Sequence, residues 1–365
     1  MGASFDVAVV GGGPAGLATA IFASRAGLST VMLDRSSGPP DKACGEGLMP
    51  AGVRVLEAIG ARDRIGRADC APFVGIRYVQ EDGSGAEGRL PSPGLGIRRT
   101  ALTSALARRA GECGVEMRWS CQVEGFTTTA KSVTLATACG EVITSVLVAA
   151  DGLHSRLRRL AGLDRPSRLP QRLGLRQHFR APPWSQFVEV HLGDGAEAFV
   201  TPVGAARVGI AFLFERDAVG ETISFENLLR RFPSLASRLA DAPVDSRARG
   251  AGPFAQGVRS RIADRFVLVG DSAGYVDAIT GEGISVALVG AQALGAILPG
   301  ALERGATRES LLPYERAAAR EFRRYTVVCR SVLALARRPR LRRRVVNFLG
   351  SHPGLFDRLI ALALA

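Results

Sequence analysis

Gly11-Gly12-Gly13-Pro14-Ala15-Gly16 joins an apolar run, Phe5 to Val10, to a helical pattern, Ala15 to Ala26, and this turn constrains the chain more than any other stretch. In a strand–turn–helix setting Gly11 permits the tight turn, Gly13 lets the backbone approach a phosphate, and Gly16 lets the helix pack on the strand. The helix N-terminus, from Ala15 onward, then offers unpaired N–H donors to an anion. A second strand, Ser29 to Leu33, ends on Asp34, the distance at which an acid meets a ribose hydroxyl. Glycines also mark ordinary turns. Strand, helix and acid together predict a dinucleotide's pyrophosphate at the turn, inside a Rossmann-like α/β domain. Whether that dinucleotide is resident or visiting stays open from this segment alone.

The chain has 365 residues, enough for two domains or one elaborated domain. Its six cysteines are scattered without CxxC spacing and no cleavable leader precedes the first strand, so reduced thiols in a cytoplasmic protein are expected. Dispersed histidines give no metal site. The net charge of +13 is almost wholly arginine, Lys42 and Lys131 being the only lysines, and no nucleic-acid-binding motif accompanies it. A nucleic-acid partner is therefore not expected.

The densest basic cluster is Arg337, Arg338, Arg340, Arg342, Arg343 and Arg344, in a stretch, Arg320 to Ala365, that reads as helical and finishes on Leu355-Phe356, Leu359-Ile360 and Leu362 to Leu364. The simpler expectation packs the apolar face on the body with the arginines in water. Peripheral contact with a membrane surface is the alternative. Ile284 to Leu302 is long and apolar, but Gln292, Pro299 and a preceding glycine-rich loop favour a buried helix over a span.

Two later segments narrow the ligand. Val146 to Ala150 is an apolar strand that empties into Asp151-Gly152-Leu153-His154-Ser155-Arg156-Leu157-Arg158. Arg265 to Val269 is another, followed by Gly270-Asp271 and by Thr280-Gly281-Glu282-Gly283-Ile284 at the start of a helix. Asp271 can accept a sugar hydroxyl, and the amides from Gly281 to Ile284 sit where a helix dipole stabilises negative charge.

With these three motifs in this order, nearly the whole chain resembles the FAD-dependent superfamily of aromatic hydroxylases (group A flavin monooxygenases), flavin halogenases and geranylgeranyl reductases. The resemblance implies a Rossmann-like FAD-binding domain of the glutathione-reductase-2 type, a split and mainly antiparallel substrate sheet, and a C-terminal helical extension. It assigns the pyrophosphate to Gly11, Gly13, Pro14, Ala15 and Gly16, the adenosine ribose to Asp34 with Arg35 beside it, and the ribityl-phosphate region to Gly270 and Asp271. Arg99 falls at a flavin-contacting position, Asp151 in the ADGxxSxxR pattern that supports FAD, and the isoalloxazine over Gly281, Gly283 and Ile284. No second GxGxxG marks a separate NAD(P) domain, Gly83 to Gly88 having no helical pattern after it, so NAD(P)H is expected as a transient reductant.

The expected FAD-binding segments are 1–72, 96–167 and 251–315, with the substrate sheet in 73–95 and 168–250 and the helical tail in 316–365. Cys44-Gly45-Glu46-Gly47 resembles the reductase branch, in which a Cys-Gly-Gly-like segment lies near the flavin, with Glu46 as a departure. Glu197 to Gly204 lacks that branch's Trp-x-Phe-Pro signature, which argues against a long isoprenoid substrate. The tandem tryptophan motif of halogenases is missing as well.

The narrow preference at this level is an NAD(P)H-driven monooxygenase acting through a flavin hydroperoxide on a small, apolar substrate, free or tethered to a carrier. A reductase of carbon–carbon double bonds in a lipophilic substrate comes next, then a flavin-bearing membrane-surface or interaction protein. Cys44, Glu46 and His191 are the catalytic candidates. Arg176 with His178, and Glu189 with His191, each share one face of a strand, read as solvent-facing unless the sheet turns that face toward the pocket.

Overall fold

The computed structural model describes residues 3–167, 169, 171–220 and 223–364. Ala3–Val10 is the middle of a sheet because Val7 to Val10 are apolar on both faces, as a strand paired in parallel on both sides requires. Val7 pairs with Thr30 of Thr30–Leu33 and with Val146 of Gly140–Ala149. Across the sheet the order is Ile262–Ala263, Phe266–Leu268, Gly140–Ala149, Ala3–Val10, Thr30–Leu33 and Glu116–Arg118, with the strands Val123–Thr128 and Val133–Thr137 attached through Gly140–Ala149.

Four of these strands run parallel and end at one edge, at Val10, Leu33, Ala149 and Leu268. The next few residues of each are Gly11 to Gly16, Asp34, Asp151 and Gly270-Asp271. The motifs dispersed along the chain therefore converge at the carboxyl ends of the strands, where open α/β sheets place their ligands.

The second sheet has the order Arg249–Ala251, Arg172–Phe179, Val208–Glu215, Ala196–Pro202, Phe187–Leu192, Cys70–Val79, Gly85–Ile97 and Gly47–Leu48, antiparallel except where Phe187–Leu192 pairs with Cys70–Val79. Both of its faces are covered. Val188, Val190, Phe199, Ala211 and Leu213 pack toward Met49, Val276 and Ile279, while Val200, Ile210 and Phe212 pack beneath the short helices Phe225–Leu229 and Pro233–Leu239. This sheet starts at Cys70, continues to Ile97 and also takes in Gly47–Leu48, so it reaches past the expected 73–95 on both sides.

The helix Gly283–Glu303, the one described helix long and apolar enough to cross a membrane, is a core helix. Leu288, Ala291, Leu294 and Leu298 are fully buried, and Gly295 lies so close to the helix Pro14–Arg25 that a Cβ there would come 2.3 Å from that of Phe22. The tail forms three helices, Arg308–Ala336, Pro339–Ser351 and Pro353–Leu364. The first starts at Arg308 and is capped by the Thr307 side chain, so the expected boundary at 316 falls inside a continuous helix.

Local backbone demands explain the opening turn. Gly11 has φ of 118° and a Cβ there would sit 2.2 Å from the Ala150 oxygen; a Cβ at Gly16 would sit 1.9 Å from the Gly11 oxygen. These contacts are with backbone, which cannot step aside. Gly16→Val is accordingly expected to lose about 1–3 kcal/mol or more of stability, measured by denaturant unfolding; an unchanged midpoint would show that strand and helix are not in this close contact.

Candidate functional site

The cleft at the strand ends is lined by charged groups that use few of their hydrogen-bonding positions on the protein. Asp34 is buried and accepts the Gly12 and Ser36 N–H groups at 2.6 and 2.7 Å, one on each carboxylate oxygen, which leaves further lone pairs on both. The Asp271 carboxylate accepts no hydrogen bond among the described residues; burial raises its pKa, and Arg99 and Lys42 oppose that rise. Arg99 begins the helix Arg99–Glu112 and its buried Nε has no partner among the described residues. The Lys42 stem is exposed but its ammonium is set into the cleft, where dehydration and Arg99 lower its pKa against the pull of Asp34 and Asp271.

Gly13 faces this group. A Cβ there would meet nothing closer than Arg99 Nη2 at 3.7 Å, so its lack of a side chain relieves no crowding within the protein. Gly13 has ordinary extended φ and ψ, so backbone strain does not explain the glycine either. An unfilled approach to backbone, a helix N-terminus at Pro14 and Ala15, and two cations beside two carboxylates fit a pyrophosphate flanked by sugars. Arg35, at the end of the same strand as Asp34, is exposed.

The Asp151 motif works inside the protein. Asp151 accepts the Ser155 hydroxyl at 2.5 Å and the Leu157 N–H at 3.1 Å, and Ser155 caps the helix Arg156–Leu160. The wholly buried Arg158 reaches Asp164, Leu153 O, Gln256 and Ser272 O. It thereby fixes the Asp151 turn against the Gly270–Ala273 turn, which carries Asp271.

Beyond Asp271 the chain passes Tyr275 and turns at Gly281, φ 68°, into the helix Gly283–Glu303. The half-buried Gly283 and Ile284 present the first amides of that helix. Met49 N–H donates to Ser285 Oγ at 3.0 Å, which ties the segment from Cys44 to Pro50 to this helix start. Glu282 Oε2 is buried without a partner among the described residues, and burial pushes its carboxyl up to about 7.

Of the three catalytic candidates, the structure brings Cys44 and Glu46 together and leaves His191 apart. Glu46 and His178 are buried and joined, with His178 Nε2 2.5 Å from Glu46 Oε2, while Glu46 Oε1 accepts the Arg99 N–H at 2.7 Å. Arg176 can only donate, and its Nη1 lies 3.1 Å from His178 Nδ1, so Nδ1 accepts and the ring proton is on Nε2. Ser246 Oγ, 2.7 Å from the same nitrogen, completes the arrangement. Burial and Arg176 lower the His178 pKa against the pull of Glu46, keeping the ring neutral.

His191 does not belong to this group. In Phe187–Leu192 the inward residues are Val188, Val190 and Leu192, so Glu189 and His191 point to the other side, where Glu189 also bonds Trp184 and Arg77. Arg176 and His178 are buried, contrary to the solvent-facing expectation. Cys44 is half-buried; its Sγ accepts the Glu46 N–H at 3.3 Å, and burial pushes its thiol up. Lys42, Arg176 and the pairing of His178 with Glu46 were not anticipated as site features. Only the rarity of lysine could have marked Lys42.

Glu46 has φ of 61°, a left-handed conformation costing a non-glycine residue about 1–2 kcal/mol. Its carboxylate offsets that cost by satisfying two buried donors. Glu46→Ala is expected to lose about 1–3 kcal/mol for each orphaned donor, and Glu46→Gly about 1 kcal/mol less because its backbone strain is relieved. Denaturant unfolding of both variants checks this; losses below 1 kcal/mol in both would show that the pair does not hold the segment.

A family model described as FAD binding domain matches residues 4–328. Digeranylgeranylglycerophospholipid reductase 1 of Methanopyrus kandleri is 29% identical over 371 residues, covering 97% of this chain and 96% of that protein. Menaquinone reductase of Mycobacterium tuberculosis is 29% identical over 314 residues, covering 78% and 74%. Among solved structures, a triple mutant of the flavin-dependent brominase Bmp2 superposes with a TM-score of 0.83 at 17% identity, covering 98% of this chain and 94% of that one. The halogenase PltM in complex with phloroglucinol and FAD gives 0.76 at 19%, covering 86% and 73%. These structures share the fold, and the family match agrees with the resemblance carried by the glycine turn, the Asp-Gly segment and the Gly-Asp segment. The chain belongs to the FAD-binding-domain family and is an FAD-dependent oxidoreductase.

Proposed function

We propose that this oxidoreductase reduces carbon–carbon double bonds in a lipophilic substrate, with NAD(P)H as the transient reductant. The observation that carries the reading is the apolar inward face of the second sheet. Val188, Val190, Phe199, Ala211 and Leu213 stand opposite Val276 and Ile279, which belong to the loop leading to the Gly283 amides. Charged groups on that face are paired, Arg172 with Glu197 and Asp277, Arg176 with Asp41, and His178 with Glu46, and only the Nε atoms of the two arginines lack a partner among the described residues. What is left to meet a substrate is hydrocarbon.

Two relatives that cover most of the chain are named as reductases, and both names denote lipids bearing isoprenoid chains. The preference for monooxygenation gives way on this ground. It leaned on the missing Trp-x-Phe-Pro signature, which bears on substrate length rather than on reaction type. Glu197 and Thr201 of that segment have other duties here, pairing with Arg172 and donating to the Gly45 carbonyl.

In this reading Gly11 to Gly16, Asp34, Arg99, Gly270 and Asp271 hold FAD, which supplies two electrons when bound and reduced. The first sheet with its helices forms the unit that holds it, and the second sheet covers the substrate. The amides from Gly283 onward stabilise negative charge by about 1 kcal/mol through the helix dipole. Tyr275 lies beside this loop, its ring carbon 3.3 Å from where a Gly283 Cβ would be. Burial raises the Tyr275 pKa well above its ordinary value, and the carboxylates of Asp271 and Asp277 act in the same sense. Tyr275 Oη and Cys44 Sγ therefore both hold protons at neutral pH, and either can supply the proton that a saturated carbon needs.

Product mass separates this reading from oxygen insertion. A geranylgeranylated glycerophospholipid and menaquinone, incubated with enzyme and NAD(P)H under argon and under air, are expected to gain hydrogen pairs in both atmospheres. A product heavier by one oxygen atom, formed in air alone, would overturn it.

A further inference from the structure

The C-terminal helices carry two apolar stripes, and the body of the protein covers only one. Val346, Phe356 and Ile360 are buried against the strand Gly85–Ile97, where Gly88 makes room: a Cβ there would lie 2.4 Å from Ile360 Cδ1. The Asp357 carboxylate accepts the Arg89 N–H, and Asn347 accepts from Gln80, so the helices are also fastened by polar contacts. This accounts for the apolar finish expected to pack on the body.

The second stripe remains. Leu355, Leu359 and Leu362, at i, i+4 and i+7 of one helix, are 41%, 46% and 73% exposed; Leu341 and Phe348, at i and i+7 of the preceding helix, are 46% and 52% exposed. With Val327, these are six of the eight large apolar side chains exposed among the described residues. Such concentration marks a contact surface rather than scattered exposure.

The charges identify what it contacts. Residues 337–364 hold seven arginines against a single acid, Asp357. Arg340, Arg344 and Arg358 are exposed with no acidic partner within 4.0 Å among the described residues. Arg344 falls at i+3 from Leu341, and Arg358 at i+3 from Leu355, so each outward apolar face carries a free arginine within it. A protein partner would have to pair those cations one by one, whereas an anionic lipid surface accepts leucine into its acyl boundary and arginine at its phosphates simultaneously. We infer that the outward faces of Pro339–Ser351 and Pro353–Leu364 dock this enzyme on an anionic bilayer. The inference stands apart from the reaction proposed above, since docking can be read without turnover.

The test uses the full chain carrying FAD and sedimentation with vesicles of equal parts phosphatidylglycerol and phosphatidylcholine, or of phosphatidylcholine alone. Binding to the mixed vesicles is expected, at least about tenfold weaker on phosphatidylcholine alone. The triple variant Leu355→Asp, Leu359→Asp, Leu362→Asp is expected to lose at least about tenfold, and Arg340→Glu with Arg344→Glu to lose the preference for phosphatidylglycerol, both with wild-type unfolding midpoints. Failure of the wild type to sediment with either vesicle would overturn the inference, as would undiminished binding by the leucine variant. So would a wild-type dimer that the leucine variant turns to monomer without vesicles, because a second copy would then be the occupant.

Discussion

The buried carboxylate of Glu46 holds three distant parts of the chain in register, and the geometry of the cleft depends on it. A charge out of water is costly unless its acceptor positions are filled. One oxygen is filled by the first N–H of the helix Arg99–Glu112, the positive end of a helix dipole, and the other by His178 Nε2–H from the second sheet. Arg176 fixes the tautomer that makes this possible and reaches back to Asp41 and the Lys42 carbonyl. The network closes on the segment it started from. That segment carries Lys42 toward the cleft and Met49 toward the Gly281 turn, so one joint sets the cleft, the cover sheet and the flavin loop relative to each other.

The cleft itself follows from strand direction. Four parallel strands ending at one edge bring the glycine turn, Asp34, the Asp151 turn and Asp271 together, although up to about two hundred and sixty residues separate them along the chain. Arg158 then ties two of these turns by donating to both of them. A motif that reads as ligand-binding in sequence is here the brace that lets its neighbour bind.

What was legible in the sequence was what the local backbone demands. Gly11 and Gly16 are required by contacts of 2.2 and 1.9 Å that any side chain would break, and such requirements show as glycine in strand–turn–helix context. The Glu46–His178 pair was not legible, because alternation reveals which residues share a face without revealing which face turns inward. In Arg172–Phe179 both faces are covered, so polarity gives no sign. In Phe187–Leu192 a sign existed: Val188, Val190 and Leu192 alternate with Glu189 and His191, and the apolar set faces in. The tail misled differently, since one helix carries both a covered and an uncovered apolar stripe and composition merges the two.

The central claim is that the space ringed by Gly13, Asp34, Lys42, Arg99 and Asp271 seats the dinucleotide. Gly13→Val tests it directly, because nothing in the protein lies within 3.7 Å of the added Cβ and the backbone there is unstrained. The FAD-to-protein ratio, read from the flavin band near about 450 nm, is expected to fall at least about tenfold while the unfolding midpoint of the cofactor-free protein stays at the wild-type value. A Gly13→Val protein that retains a full complement of FAD would contradict the account.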